Sequence, residues 1–298
     1  MNITLDCIPC FVRHTNEVLK EFSVDDALKE KVMREVLARM AKIDFQLTPP
    51  EFAAVIHEFI REQLNCDDPY KKIKDDSNIL AKELTEKLRQ HLKTTDNFLR
   101  NAILYSIAGN IIDSGVSAVT PVEDILTSIE MAENETPAID NFSELETAFN
   151  KANNILILGD NAGEIFFDKL LIENIPGSKK IYFAVKGGAI LNDATFDDAV
   201  FAGIDQHAEI IDNGTRIPGT ALSQVSPKFM DIFNQADVIL SKGQANYETL
   251  SGIKDDRIFF LLRAKCDVIA NKAGVPKGSF VIAQNMDHSF KEKSQNNY

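Results

Sequence analysis

Apolar positions follow two different rhythms along this chain. Up to about Ile139 they recur at helical spacing, and from Asn154 they gather in short runs that end in polar or glycine-rich turns. In Thr48-Pro-Pro-Glu51 the threonine is placed to cap a helix, Pro49 suits its first turn and Glu51 can close a capping box. Phe52, Val55, Ile56, Phe59 and Ile60 then form one apolar stripe. Ser23 with Asp26 marks another helix start, ahead of Leu28, Val32, Val36 and Met40. Asp96 precedes an apolar helix containing Phe98, Leu99, Ile103 and Ile107. The first part of the chain therefore predicts a helical bundle or cap. No internal repeat or low-complexity tract is visible, and the junction falls in the proline-containing segment Glu133 to Asn141, before a short helix opened by Ser143 and Glu146. The expected division is a helical subdomain over 1–140 and a second domain over 141–298.

The later runs are Ile155 to Leu158, Ile181 to Val185, Glu209 to Ile211, Val238 to Leu240, Ile258 to Leu262 and Phe280 to Ala283. Short apolar runs separated by helix-like stretches predict buried strands joined by crossovers, hence a layered α/β fold with mainly parallel pairing.

Composition narrows the function. With 298 residues and 44% hydrophobic content the chain can bury a large core, and four cysteines, Cys7, Cys10, Cys66 and Cys266, are too few and too uneven for a disulfide framework. The N-terminus MNITLDCIPCFVRH lacks the basic and apolar segments of a signal peptide, and no stretch is uniformly apolar over a membrane-spanning length. A cytoplasmic protein is expected. A formal net charge of −13 repels nucleic acid and anionic lipid. No basic patch offsets it: Lys71, Lys72 and Lys74 are followed by Asp75 and Asp76, and Lys291 and Lys293 sit in a short polar tail. Neither nucleic acid nor membrane is an expected partner, and the oligomeric state is left open. An acidic protein that handles phosphate esters must neutralise them locally, with a metal ion or a few placed lysines and amides.

Candidate chemistry gathers after the strands. Gly159-Asp-Asn-Ala-Gly-Glu164, Lys186-Gly-Gly, Asp212-Asn-Gly, Lys242-Gly-Gln, Arg263-Ala-Lys-Cys266 and Gln284-Asn285 each follow an apolar run. In a parallel sheet such ends share one edge, where these folds place ligands. Asp160 and Asn161 offer two oxygen donors, and Gly159 and Gly163 allow close approach to a ligand. Equally, Asn161 with Glu164 has capping-box spacing. The Lys186-Gly187 turn exposes amides suited to an anion, and Asp193 can supply a further carboxylate for a hard cation, while Asn192 or Asp193 can instead cap the helix containing Phe196 and Val200. Lys242 with Gly243 behind it meets the needs of phosphate binding, its alternative being a solvated loop lysine.

Taken together with Asp6-Cys-Ile-Pro-Cys10, Asp68-Pro-Tyr-Lys-Lys-Ile-Lys74, Asn192-Asp-Ala-Thr195 and Ser241-Lys-Gly-Gln-Ala-Asn246, these motifs resemble, over nearly the whole chain, the DUF89 or ARMT1-like damage-control phosphatases, in particular the short archaeal and bacterial branch with an N-terminal CxxC. The resemblance implies a helical N-terminal region packed on a three-layer α/β/α sandwich with a mainly parallel, Rossmann-like sheet. It implies a metal-dependent phosphatase acting on sugar phosphates or damaged phosphometabolites. Asp160, Asn161 and Asp193 become the metal ligands, and Lys242 the leading phosphate contact and, with Asp160, a catalytic candidate. Lys186, Gly187, Glu164, Asn192 and Gly243 are the further substrate-binding candidates. Two carboxylates and an amide favour Mg²⁺ or Mn²⁺, with Co²⁺ or Ni²⁺ as substitutes, over zinc. Asp160 is either a nucleophile or only a ligand, with activated water favoured.

Cys7 and Cys10 form a candidate second metal or redox site, weighed against merely reduced cysteines, because a structural zinc wants four ligands and no second CxxC exists. His14, His57, His91, His207 and His288 show no ligand spacing. Two other functions compete. An S-adenosylmethionine-dependent methyltransferase fits a strand followed by Gly-x-x-x-Gly, although the dinucleotide fingerprint wants GxGxxG; a noncatalytic metal- or ligand-binding module is the second.

Overall fold

Strands that are apolar on both faces are stable only in a sheet covered on both sides. The chain builds such a sheet, seen in a computed structural model that describes residues 1–22, 24–111, 129 and 131–286. Among the described residues its strands are β1 (Ile139–Asp140), β2 (Asn154–Leu158), β3 (Lys180–Val185), β4 (Glu209–Asp212), β5 (Val238–Lys242), β6 (Ile258–Arg263) and β7 (Phe280–Gln284). They lie in the order β1-β7-β6-β5-β2-β3-β4. Every pairing is parallel except that of β6 with β7. The six expected runs are all strands. The seventh, β1, lies in the segment expected to be a linker, where Ile139 pairs with Val281.

The described helices are α1 (Ile8–Glu21), α2 (Asp26–Met40), α3 (Pro49–Leu64), α4 (Lys71–Leu92), α5 (Phe98–Ala108), α6 (Phe142–Lys151), α7 (Glu164–Glu173), α8 (Phe196–Ala202), α9 (Pro227–Gln235), α10 (Gly243–Leu250) and α11 (Asp267–Ala273). Alternation along β2 shows how they are layered. Ile155 and Ile157 point into a core shared with α4 to α8, and Leu156 and Leu158 into one shared with α9 to α11. A third core joins α1, α2 and α3 through Val18, Val36, Ile56 and Ile60.

Local signals set most helix starts. Thr48 and Glu51 form the expected capping box at α3. Asp25 caps α2, accepting from Leu28 N–H at 2.7 Å, whereas Ser23 lies outside the described residues, as do His288, Lys291 and Lys293. Asn97 rather than Asp96 caps α5. Among the described residues no helix is long and apolar enough to cross a membrane.

Candidate active site

From β2 the sheet extends to β3 and β4 on one side and to β5 and β6 on the other, so β2 and β5 flank the point where strand order changes direction. Their carboxyl ends open a crevice there. The turn after β2 runs from Gly159, where a Cβ would lie 2.9 Å from the Phe183 ring, to Gly163 at φ +76°. Among the described residues no side chain caps α7, whose N-cap is Gly163, so Asn161 does not take the capping role that its spacing to Glu164 suggested.

The segment after β3 is likewise not committed to capping. Thr195 donates its N–H and Oγ1 to Asp198 Oδ2 at 2.9 and 2.6 Å, which closes the first turn of α8. That helix starts too late in the sequence for Asn192 or Asp193 to cap it. Residues 192–194 instead lie against the turn after β2: Ala162 N–H donates to Asn192 O at 2.9 Å, Ala194 N–H to Asp160 O at 2.8 Å, and Asn161 bridges Asp193 in antiparallel sense. Asp160, Asn161 and Asp193, three of the predicted site residues, thereby meet at one edge with 6%, 5% and 3% of their surfaces exposed. Across the crevice Gly243 has φ +73°, and a Cβ on it would collide with the Asp160 carboxylate.

Lys242, at the end of β5, is wholly buried. Its Nζ lies 2.5 Å from Glu164 Oε1 and 2.7 Å from Asp168 Oδ1, and donates to Ser106 O at 3.1 Å. An ammonium has three donors, and here each has an acceptor. Burial opposes the charge on Lys242, but Asp168 and Glu164 more than offset this and raise its pKa. Burial, with the Asp168 charge adding to it, pushes the Glu164 carboxyl above its ordinary value, against the pull of Lys242 and of Lys265, two residues past β6. Asn110 donates to Asp160 Oδ2 at 3.2 Å and also to Glu164 Oε2, while its own Oδ1 is buried without a hydrogen-bond partner among the described residues. Lys186 donates to Gly219 O at 2.6 Å and sits 3.5 Å from Asp193 Oδ2. Gly187 donates to Thr215 O at 2.8 Å.

Four buried carboxylates, Asp160, Glu164, Asp168 and Asp193, thus stand around two buried ammonium groups, Lys186 and Lys242. Buried charge in excess of one sign is costly unless it is paired or coordinates a metal, so this donor set suits a divalent cation. No group of three or more His, Cys, Asp or Glu side chains among the described residues is arranged to hold a metal. The fit rests on two carboxylates and an amide, hard oxygen donors of the kind Mg²⁺ and Mn²⁺ take. Asn161 turns its amide nitrogen toward Asp160 Oδ2 at 3.2 Å, so its oxygen serves only once the amide is reversed.

Asn110, Asp168 and Ser106 were not singled out in the sequence, and no local spacing marks them. Lys265 lay within a noted motif, at a strand end where the other site residues gather. Cys7 and Cys10 stand apart from this cluster. Cys7 Sγ lies 3.5 Å from Thr4 Oγ1, Cys10 Sγ lies 3.6 Å from His14 Nε2, and Arg13 Nη2 donates to Cys10 Sγ at 3.5 Å. His14 holds the Cys10 thiol below its ordinary pKa. All four cysteines are free. Cys10 and His14 stand four residues apart on α1, a spacing that the reading of the histidines as without ligand spacing passed over.

The family model for the damage-control phosphatase ARMT1-like domain matches residues 3–281. A damage-control phosphatase of Pyrococcus horikoshii is 36% identical over 288 residues, covering 96% of this chain and 99% of the relative. Another, of Archaeoglobus fulgidus, is 30% identical over 286 residues, covering 94% and 98%. The crystal structure of a DUF89 family protein from Pyrococcus horikoshii superposes with a TM-score of 0.90 at 34% identity, covering 96% of this chain and 99% of that one.

Proposed function

The chain belongs to the damage-control phosphatase ARMT1-like family, and from that premise we propose that it is a divalent-metal-dependent phosphatase hydrolysing small phosphorylated metabolites, either sugar phosphates or damaged phosphometabolites. The observation that carries this reading is the Asn161–Asp193 bridge, which joins the turns after β2 and β3 and gathers the hard oxygen donors beside the β2–β5 crevice.

Asp160, Asn161 and Asp193 would hold the cation, Mg²⁺ or Mn²⁺, with Co²⁺ or Ni²⁺ as substitutes. When bound, the cation supplies polarisation of a phosphoryl oxygen and neutralisation of its charge. The chain's own groups do the rest. α7 and α10 begin at Glu164 and Gly243, so both direct their positive ends to the crevice and favour an anion there. Lys242 acts through Glu164 and Asp168 rather than by direct phosphate contact, because its donors are already occupied. Asp160 Oδ2 accepts from Asn110 and Asn161, which holds the carboxylate in place as a ligand, and the attacking group in this reading is water. Four free thiols fit a reducing compartment, and the cytoplasm is the proposed location.

The deciding experiment is phosphate release from a broad panel of phosphate esters by protein loaded with Mg²⁺, Mn²⁺, Co²⁺ or Ni²⁺. Release that stops on chelation and returns on readdition is expected. Metal binding with no release across the panel would make this a noncatalytic module, and tight S-adenosylmethionine binding in its place would make it a methyltransferase.

A further inference from the structure

We propose that Asn78, supported by Lys74, is a positioning residue that clamps the two metal-ligand turns together from helix α4, an inference that rests on the metal-dependent reading above. Asn78 is 3% exposed and spends both ends of its amide on different turns. Its Oδ1 accepts from Gly163 N–H at 2.7 Å, and its Nδ2 donates to Asp198 Oδ1 at 2.9 Å. Gly163 closes the turn that carries Asp160 and Asn161. Asp198 holds Thr195, which follows directly on the Asp193–Ala194 segment.

The approach of α4 to this region is close. A Cβ on Gly163 would lie 3.1 Å from both Ser77 Cβ and Ser77 O, and the φ of +76° also favours glycine there. Lys74, 4% exposed, adds a second tie: its Nζ lies 3.1 Å from Asp198 Oδ2 and 2.9 Å from Asp68 Oδ2. Burial works against the Asp198 charge, yet Lys74, Thr195 and Asn78 hold its carboxyl below the usual range, so it stays an acceptor. The Asp68-to-Lys74 motif, which no part of the proposed chemistry uses, thereby acquires a task. The backbone bonds between Ala162 and Asn192, and between Ala194 and Asp160, join the turns beside the ligands. Asn78 joins the same turns from α4, so the spacing of Asp160 and Asp193 is fixed by two separate connections.

The test reads Mn²⁺ binding to metal-free protein by electron paramagnetic resonance, with unfolding followed separately. Asn78→Ala should raise the Mn²⁺ dissociation constant about 10- to 100-fold, the loss usual for an indirect support of a metal site, while unfolding stays cooperative and excess Mn²⁺ restores turnover. Asn78→Asp keeps an acceptor for Gly163 but sets a carboxylate against Asp198, and should weaken binding as well. The exchange Asn78→Asp with Asp198→Asn re-creates the donor and acceptor in reversed order beside Lys74, and should recover affinity to within a few-fold of the parent. A folded Asn78→Ala protein with parental Mn²⁺ affinity would overturn the proposal. Should that variant not fold, equal affinity of the Asn78→Asp protein and the exchange variant overturns it instead. A parent protein that binds no Mn²⁺ sinks the metal-dependent reading itself, and this inference with it.

Discussion

Lys242 and Glu164 form an ion pair with both side chains out of solvent, Nζ to Oε1 at 2.5 Å, and Asp168 closes it from the other side at 2.7 Å. Removing the lysine leaves two carboxylates buried without their cation. Lys242→Met is therefore expected to lose about 3–5 kcal/mol of stability in urea denaturation as well as activity. A lysine whose only task was to touch phosphate would raise KM and leave the denaturation midpoint where it was.

Asp193→Asn conserves shape and removes one anionic donor. Because Thr195 and Asp198 close the first turn of α8, no helix cap is lost with it. The variant should remain folded, with some stability lost because Lys186 loses its buried carboxylate partner, and bind Mn²⁺ at least about tenfold more weakly, with partial recovery of turnover at high metal. Unchanged titration calorimetry in a folded variant would remove Asp193 from the site.

Gly243→Ala tests the other wall of the crevice. The added Cβ meets the Asp160 carboxylate while the backbone sits at φ +73°, so either the helix start or the carboxylate must shift. Turnover should drop on the order of 100-fold, the scale of a misplacement near 1 Å. Gly252→Ala, where a Cβ meets nothing within 4 Å, is the matched control and should keep full turnover.

His57 links folding to pH. It is buried on α3 with its ring 5.8 Å from that of Tyr70, and burial lowers its pKa to about 3, with the charges of His14 and Arg61 adding to the effect. The unfolded chain takes up a proton at this residue below about 6.5 and the folded one does not. Its contribution to stability is thus complete above pH 6.5 and is lost as the pH falls from there toward 3, by at most about 1.4 kcal/mol per pH unit. In urea denaturation between pH 7 and 5, His57→Phe should show a shallower decline than the parent, and parallel curves would refute the assignment.

What could be read from sequence was whatever depends on neighbours along the chain. Thr48 and Glu51 are three residues apart, and their box forms as expected. The central strand runs were legible because they are apolar on both faces, and β4, exposed at Glu209 and Asp212 on the sheet edge, was legible only as a short apolar run before a turn. β1 was not, since a strand of two residues carries no period and exists only by pairing with β7. The meeting of Asp160, Asn161 and Asp193, the proposed cation ligands, could be anticipated from motifs at strand ends, but the capping alternative for Asp193 fell only when Thr195 and Asp198 were seen to close α8. Lys242 was placed correctly at a strand end, but its pairing was not legible: Glu164 was noted only as a substrate-binding candidate, Ser106 and Asp168 not at all, and no spacing rule connects the three to Lys242. Asn78 and Asn110 were missed for the same reason, their contacts spanning 85 and 50 residues of chain.

The place of β7 in the sheet has a consequence for synthesis. β7 lies between β6 and β1, so the edge strand at Ile139 has nothing to pair with until Val281 has been made. A chain emerging from the ribosome can assemble α1 to α3 early, and then β2 to β6, while that margin of the sheet waits for nearly the last described residues. Unpaired edges of this kind are where nascent chains associate with one another. A messenger cut short before the codon for Phe280 would therefore yield a polypeptide with most of the crevice encoded and one edge open, which chaperones and proteases would engage before it could act on any phosphate ester.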